Sequence, residues 1–327
     1  MINKAKIKSR LNDHQDLIRI LRFGYNAIKR PYFLQRKVHY GQKNTEKVIY
    51  LIRPNSEDGI QGLMSLFIQT MRKIDYAISK GYIPYVDFKN YKTQYYDGIN
   101  NVWEFYFTQP SNMIIDDVYS SRNVILSGLS LSKNEDVTLF KSSIFTDNKI
   151  CERCYKLIDN NISLSLEAKK IVEEQERLLN IDSCIGVYIR GTDYTKLKPS
   201  GEYIQPDIES VIKKTKEFLR TYPGNKIFLV TEDFENYKAM KSEFGDLLKI
   251  ATFDTFIQDY SGENFLSKSN VLEDDKKKRG IDYLAKIVLL SKCKYLVSSI
   301  TMGSISAYAM NGNRYEDSYI FDLGVYD

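Results

Sequence analysis

Long apolar runs are missing from this chain. Nowhere do roughly 18 apolar residues follow one another, so no membrane-spanning helix is expected. The opening residues, Met1 to Gln15, also lack the apolar stretch of a signal peptide. Histidine is scarce, with two in 327 residues, and cysteine stops at four. Four cysteines are too few for a disulfide scaffold, and the expectation is a reduced, cytoplasmic protein. Cys151 and Cys154 have redox or metal spacing, but there is no second pair and a zinc site would lack ligands. Cys184 and Cys293 lie in apolar, strand-like segments, where cysteine behaves as a small buried hydrophobe. Two motifs are absent as well. No Walker lysine loop is present and no GxGxxG follows a strand, which excludes the usual kinase and dehydrogenase phosphate cradles.

What is present supports a globular protein. Hydrophobic residues make up 43% and charged residues 27%, enough for real cores. The length is comfortable for two domains. The net charge of +5 is uneven. Residues 1–43 hold eleven Lys/Arg against two Asp, a local +9 that leaves −4 for the remainder. Leu17, Ile18, Ile20, Leu21 and Phe23 interleave with Arg10, Arg19, Arg22, Lys29 and Arg30. A basic amphipathic helix of this kind either lies on anionic lipid or packs its apolar stripe on the protein body. The basic excess sits at one end and matches no recognition motif, so nucleic acid is not an expected partner.

Residues 1–43 therefore read as a helical leader, 44–162 as a first α/β domain and 163–327 as a second. In the first, a strand at 48–52 is followed by a turn-rich loop, a helix from Leu63 to Ser79 and a short strand ending on Asp87. Such a β-loop-α-β run implies a parallel sheet. The aromatic cluster about Trp103 reads as core packing or as a stacking platform for a sugar. Helix 163–180 leads into the second unit. Strands are expected there at 184–189, 226–230, 248–252 and 294–298, with helices at 206–222, 234–244 and 280–292 and a last helix opening at Thr301. The polar stretch 258–280 reads as a mobile loop. Two successive units of this type suggest two Rossmann-like domains facing a cleft.

Three strand-to-helix junctions of the second unit meet at one edge if its sheet is parallel. The first is Arg190-Gly191-Thr192-Asp193, directly after an apolar strand. An arginine there presents a permanently charged fork that fits phosphate oxygens, or it pairs with a surface carboxylate. The second is Thr231-Glu232-Asp233, whose carboxylates can accept from ribose or cap a helix. The third runs from Ser298 to Ser304, where hydroxyls and free amides meet a helix N-terminus, an anion site by its dipole. Ligands of open α/β sheets sit beyond such strand ends. Together the junctions point to a bound nucleotide.

The run Gly186-Val-Tyr-Ile-Arg190-Gly-Thr-Asp193 resembles the first motif of the α1,2-, α1,6- and protein O-fucosyltransferase superfamily. It is especially similar to a bacterial branch found in surface-polysaccharide clusters, through Lys198-Pro-Ser-Gly201 and Gln205-Pro206. The resemblance continues at Phe228–Asp233, Arg279–Asp282, Leu289–Cys293 and Ser298–Asn311. In the first domain it includes Gly81–Asp87 and Asn101–Phe107, so that it covers most of residues 48–327.

That resemblance implies a GT-B fold, a GDP-sugar donor in the C-terminal domain, and inverting transfer with no metal and no cofactor. GDP-fucose is the leading donor, and a glycan or lipid-linked oligosaccharide at a cytoplasmic membrane face is the acceptor. Arg190 takes the position that binds the β-phosphate and stabilises departing GDP. Tyr188 matches a position often held by histidine near the nucleotide. Thr192 and Asp193 shape the turn, and Ser299, Thr301 and Ser304 match the donor-binding loop. Gly59 and Gln61 lie in a loop similar in place to a glycine-rich donor-facing one. Asp87 and Glu202 are the candidates for the acceptor's general base. Two departures stand out. Lys286 occupies the place of an acidic guanine reader, with Asp282 one turn earlier. A glycine, Gly191, follows Arg190 where the α1,6 enzymes have a second arginine. A transferase using another nucleotide sugar, or a non-catalytic binding protein on the same fold, is the alternative.

Overall fold

In the computed structural model, residues 34–55, 61–128, 135–258, 260 and 275–327 are described. The expected leader helix and most of the expected mobile loop therefore lie outside the described residues. Residues 34–43 do not continue a helix. Three of them form strand β1 (Arg36–Val38), so the first unit begins ahead of residue 44.

Two sheets organise the chain. The first contains β1, β2 (Ile49–Ile52), β3 (Ile83–Val86) and β4 (Val124–Leu126), in the order β1-β4-β2-β3. β2 runs parallel to β3 and β4, and β1 closes the edge antiparallel to β4. β2 is buried throughout, and helix α1 (Leu63–Ser79) connects it to β3. This central strand is an unbroken apolar run because both of its faces are covered. Helix α2 (Asn148–Asn161), capped by Asp147, then packs against both α1 and the second unit.

The second sheet is wholly parallel. It contains β5 (Cys184–Tyr188), β6 (Lys226–Val230), β7 (Leu248–Lys249), β8 (Tyr295–Ser299) and β9 (Asp317–Phe321), in the order β7-β6-β5-β8-β9. Helices α3 (Leu166–Leu179), α4 (Thr192–Leu197), α5 (Ile208–Thr221), α6 (Phe234–Phe244), α7 (Lys276–Lys292) and α8 (Met302–Asn311) surround it. The chain winds outward from β5 through β6 to β7, then returns to β5's other side with β8. The strand order thus reverses between β5 and β8, and ligands of doubly wound sheets lodge at such a reversal.

Alternation along β5 explains the layering. Ile185, Val187 and Ile189 face a core with Val211 and Phe218 of α5 and Met240 of α6. Cys184 and Tyr188 face the other way, into a second core. That second core joins Phe67 and Met71 of α1 to Cys151 and Cys154 of α2, Leu284 and Leu290 of α7, and Ile305 of α8. The two units share it, as expected of a two-sheet α/β architecture.

Some boundaries differ from the sequence expectations. α7 begins at Lys276, four residues early, because Asp275 caps it by accepting from the Lys278 amide at 2.9 Å. β4 and β9 were not foreseen. β4 is three residues long, and β9 alternates exposed and covered residues along a sheet edge. Trp103, 2% exposed, lies in the core against Phe88 and Phe107, which leaves no face for a sugar.

Candidate active site

At the reversal point, Arg190 emerges from β5 and the segment 299–304 from β8. The Arg190 guanidinium donates from Nη2 to Asp193 Oδ1 at 3.1 Å, and its Nε lies 3.5 Å from Glu232 Oε1. It also lies over the Tyr194 ring, 4.4 Å from the centroid. Nε is buried and, among the described residues, has no hydrogen-bond partner; Glu232 faces it only as an ion pair. Burial works against its charge, but Glu232, Tyr188 and Asp193 outweigh burial and hold the pKa well above the ordinary arginine range. The result is a permanently charged fork with donors to spare, 24% exposed at the side chain.

The neighbouring carboxylates build this arrangement. Glu232 accepts from the Gly191 amide at 3.1 Å and from Thr192 Oγ1 at 3.0 Å. Asp233 caps α6 through the Asn236 amide at 2.9 Å, and also accepts from the Thr192 amide at 3.3 Å. Both hold the Arg190 loop; Asp233 is engaged through both of its oxygens, whereas Glu232 makes all of these contacts through Oε1. Thr192 sits at φ +49°, an unusual conformation for a β-branched residue, fixed by these two carboxylates. A Cβ at Gly191 would come 2.6 Å from Asp233 Cβ, so only glycine lets the loop approach α6 this closely. A second arginine could not stand there.

The expected donor loop is present, with its hydroxyls already engaged. Ser299 Oγ donates to Gln205 Oε1 at 2.5 Å. Thr301 and Ser304 form a reciprocal capping box: the Ser304 amide reaches Thr301 Oγ1 at 3.0 Å and the Thr301 amide reaches Ser304 Oγ at 2.9 Å. Direct donation from these three side chains to a ligand is thus not what the geometry offers. The first-turn amides of Met302 and Gly303, which have no acceptor within the helix, remain.

Tyr188, the last residue of β5, meets Tyr283 of α7, hydroxyl to hydroxyl at 3.1 Å. A Cβ at Gly303 would lie 2.8 Å from one of these oxygens and 2.9 Å from the other. β5, α7 and α8 therefore converge on one spot. Nothing in the sequence marked Tyr283, because its partner is 95 residues away.

The two base candidates fare differently. Asp87 is fully buried and accepts from the Lys89 and Asn90 amides, from Asn90 Nδ2 and from the Tyr119 hydroxyl at 2.5 Å. It is a turn-forming carboxylate with its lone pairs occupied, and no described contact links it to Arg190. Glu202 lies within the field of Arg190. Burial pushes its carboxyl above the ordinary range, against the pull of that guanidinium. Its loop is held by the chain's last residues: Gly201 N donates to Tyr326 O at 2.8 Å, Tyr326 N to Glu202 O at 2.9 Å and Ile204 N to Gly324 O at 3.0 Å. The next residue, Tyr203, helps line a cavity of about 350 Å³ between the units, together with Ser65, Ile68, Gln69 and Arg72 of α1, Phe140 to Ser142, and Met302 and Ile305 of α8.

Elsewhere, Lys286 donates to Asp254 Oδ1 at 2.7 Å, a carboxylate on the loop after β7 whose side chain is 1% exposed. Asp282 accepts from Lys278 at 2.8 Å. Gln61 bonds Gln69 at 3.1 Å, its own Oε1 is buried with no partner among the described residues, and Gly59 lies outside the described residues. Cys151 and Cys154 are buried thiols pushed up by burial to about 11 and about 12. Among the described residues no group of His, Cys, Asp and Glu is placed to hold a metal ion, and no helix is long and apolar enough to cross a membrane.

Neither family models nor curated proteins match the chain. Solved structures are similar to it. A NodZ α-1,6-fucosyltransferase soaked with GDP-fucose is 14% identical, with a TM-score of 0.46 over 81% of this chain and 93% of that one. Fucosyltransferase NodZ from Bradyrhizobium is 14% identical, with a TM-score of 0.45 over 80% and 93%. A mutant of Arabidopsis thaliana FUT1 in complex with GDP is 10% identical, with a TM-score of 0.44 over 84% and 70%. At these identities and scores the likeness transfers neither an activity nor a residue role.

Proposed function

We propose that the chain is an inverting, metal-independent glycosyltransferase of GT-B type that takes a nucleotide sugar, with GDP-fucose as the first donor to test. The observation that carries this reading is Arg190: a fixed cation whose buried Nε has no hydrogen-bond partner among the described residues, at the reversal point of a doubly wound sheet, close to a helix N-terminus. As the glycosidic bond breaks, negative charge accumulates on the leaving diphosphate. A preorganised guanidinium there stabilises that charge without reorganising. Glu232, Asp233 and Asp193 act by holding it in place.

Glu202 is assigned the acceptor's proton. A carboxylate raised by burial is a stronger base than an exposed one. The cavity between the units, with its hydroxyls, amide and two aromatic faces, suits a sugar acceptor such as a surface glycan or lipid-linked oligosaccharide. The Lys286–Asp254 pair favours a second reading, in which the base is not guanine, because a cation stands where an acidic reader is expected. Titration calorimetry with GDP, UDP, ADP and CMP separates the two. Selective GDP binding supports the GDP-sugar donor, preference for another of these nucleotides supports the second reading, and no binding by any of them refutes both.

A further inference from the structure

We infer that the Tyr188–Tyr283 hydroxyl pair is a hydrogen-bond-donating element for the diphosphate of the bound nucleotide, with Tyr283 as a further ligand-binding residue. This rests on the nucleotide-sugar reading of the crevice. Two phenols joined by one hydrogen bond use one of their two protons. Among the described residues neither hydroxyl has another hydrogen-bond partner, so one O–H is left without an acceptor. Tyr188 is 3% exposed, and a buried donor left unpaired is costly. The surroundings say what fills the place. Arg190 lies within electrostatic reach of both phenols. The first turn of α8, whose Met302 and Gly303 amides have no acceptor among the described residues, presses on the pair through Gly303.

A phenol hydroxyl, a guanidinium and helix-terminal amides are all donors. A ligand matching them must be rich in acceptors and negatively charged, which fits a diphosphate better than a base edge or a neutral sugar. Tyr283 is also held protonated, since burial and Tyr188 push its pKa well above the phenol range against the pull of Arg190. It can donate a hydrogen bond to an anion while itself staying neutral.

The test is calorimetric titration of GDP, GMP and inorganic pyrophosphate into the wild type, Tyr283→Phe, Tyr188→Phe and the double variant. The Phe variants keep both rings, and melting curves check that the fold is retained. The expected result is an approximately tenfold loss of GDP and pyrophosphate affinity in Tyr283→Phe, with GMP affinity within about twofold. Tyr188→Phe should lose less, because Tyr283 keeps its own proton, and the double variant should match Tyr283→Phe. Unchanged GDP affinity in Tyr283→Phe, or equal losses for GDP and GMP, would overturn the assignment. If the wild type binds no nucleotide but Tyr283→Phe weakens pyrophosphate, the pair stands and the nucleotide reading falls.

Discussion

Replacing Arg190 by alanine probes the site most directly. The guanidinium bridges Asp193 at 3.1 Å and Glu232 at 3.5 Å, so its removal leaves two carboxylates facing an empty position. Both remain bonded to local amides and hydroxyls, and Glu232 is partly solvated, so the expected stability loss is modest, about 1–2 kcal/mol. That corresponds to a melting temperature lower by roughly 2–8 °C. The catalytic loss should be far larger. Removing one preorganised donor from a charge-stabilising site costs about 3–4 kcal/mol, a rate reduction on the order of 10²–10³-fold. Arg190→Lys restores the charge but not the fork, and should recover binding of the nucleoside diphosphate better than it recovers turnover. The assay pairs calorimetry of the diphosphate with release of diphosphate from the nucleotide sugar, using the exposed Arg220→Ala as control. If Arg190→Ala keeps the rate within tenfold and diphosphate affinity within twofold, the leaving-group role is wrong.

Two further predictions concern other parts of the molecule. Deleting residues 323–327 removes the backbone bonds that hold Glu202, so transfer should fall by roughly tenfold or more while diphosphate affinity stays within about twofold; an equal loss of both would show that the tail supports the whole site. Stability should also vary with pH in a defined way. Burial pushes the Lys73 pKa from 10.5 down to about 7, so the unfolded chain binds more protons between those values and stability climbs with pH through that window. The buried thiols of Cys151, Cys154 and Cys184 are raised to about 11, 12 and 11 from 9.0, so the unfolded chain ionises first above about 9 and stability falls there. Thermal melts from pH 6 to 10 should therefore peak near pH 9, by these opposing shifts. Lys73→Met should flatten the rising limb, and a rise that persists in that variant would contradict the assignment.

The same topological feature occurs twice in this chain with different consequences. β2 also ends in an arginine, Arg53, where the first sheet's order reverses between β2 and β4. There Lys73 fills the space, donating to Arg53 O at 2.6 Å and Gly128 O at 3.0 Å, and Arg53 Nε turns inward to Ser127 O at 2.9 Å. In the second unit Arg190 faces the crevice instead. A strand followed by arginine is thus the same local signal in both, and only the packing decides which cation is left for a ligand.

Elements whose cause is local were legible in the sequence. The unbroken apolar runs of β2, β5 and β6, the Asp233 and Thr301 caps and the position of Arg190 all follow from neighbouring residues. What depended on partners distant in the chain was not legible. Asp87 and Glu202 are equally acidic in sequence, yet one is consumed by a turn and the other is held in the Arg190 field by residues 324–326. Glu232 reads as a ribose acceptor or a cap, and that its Oε1 also holds Gly191 and Thr192, 41 and 40 residues away, is visible only in the fold. β9 exists because β8 offers an edge, and Tyr283 matters because Tyr188 lies opposite. Hydrogen bonds and ion pairs act within a few ångströms, so whether a polar side chain is free for chemistry is settled only when the fold brings its competitors to it.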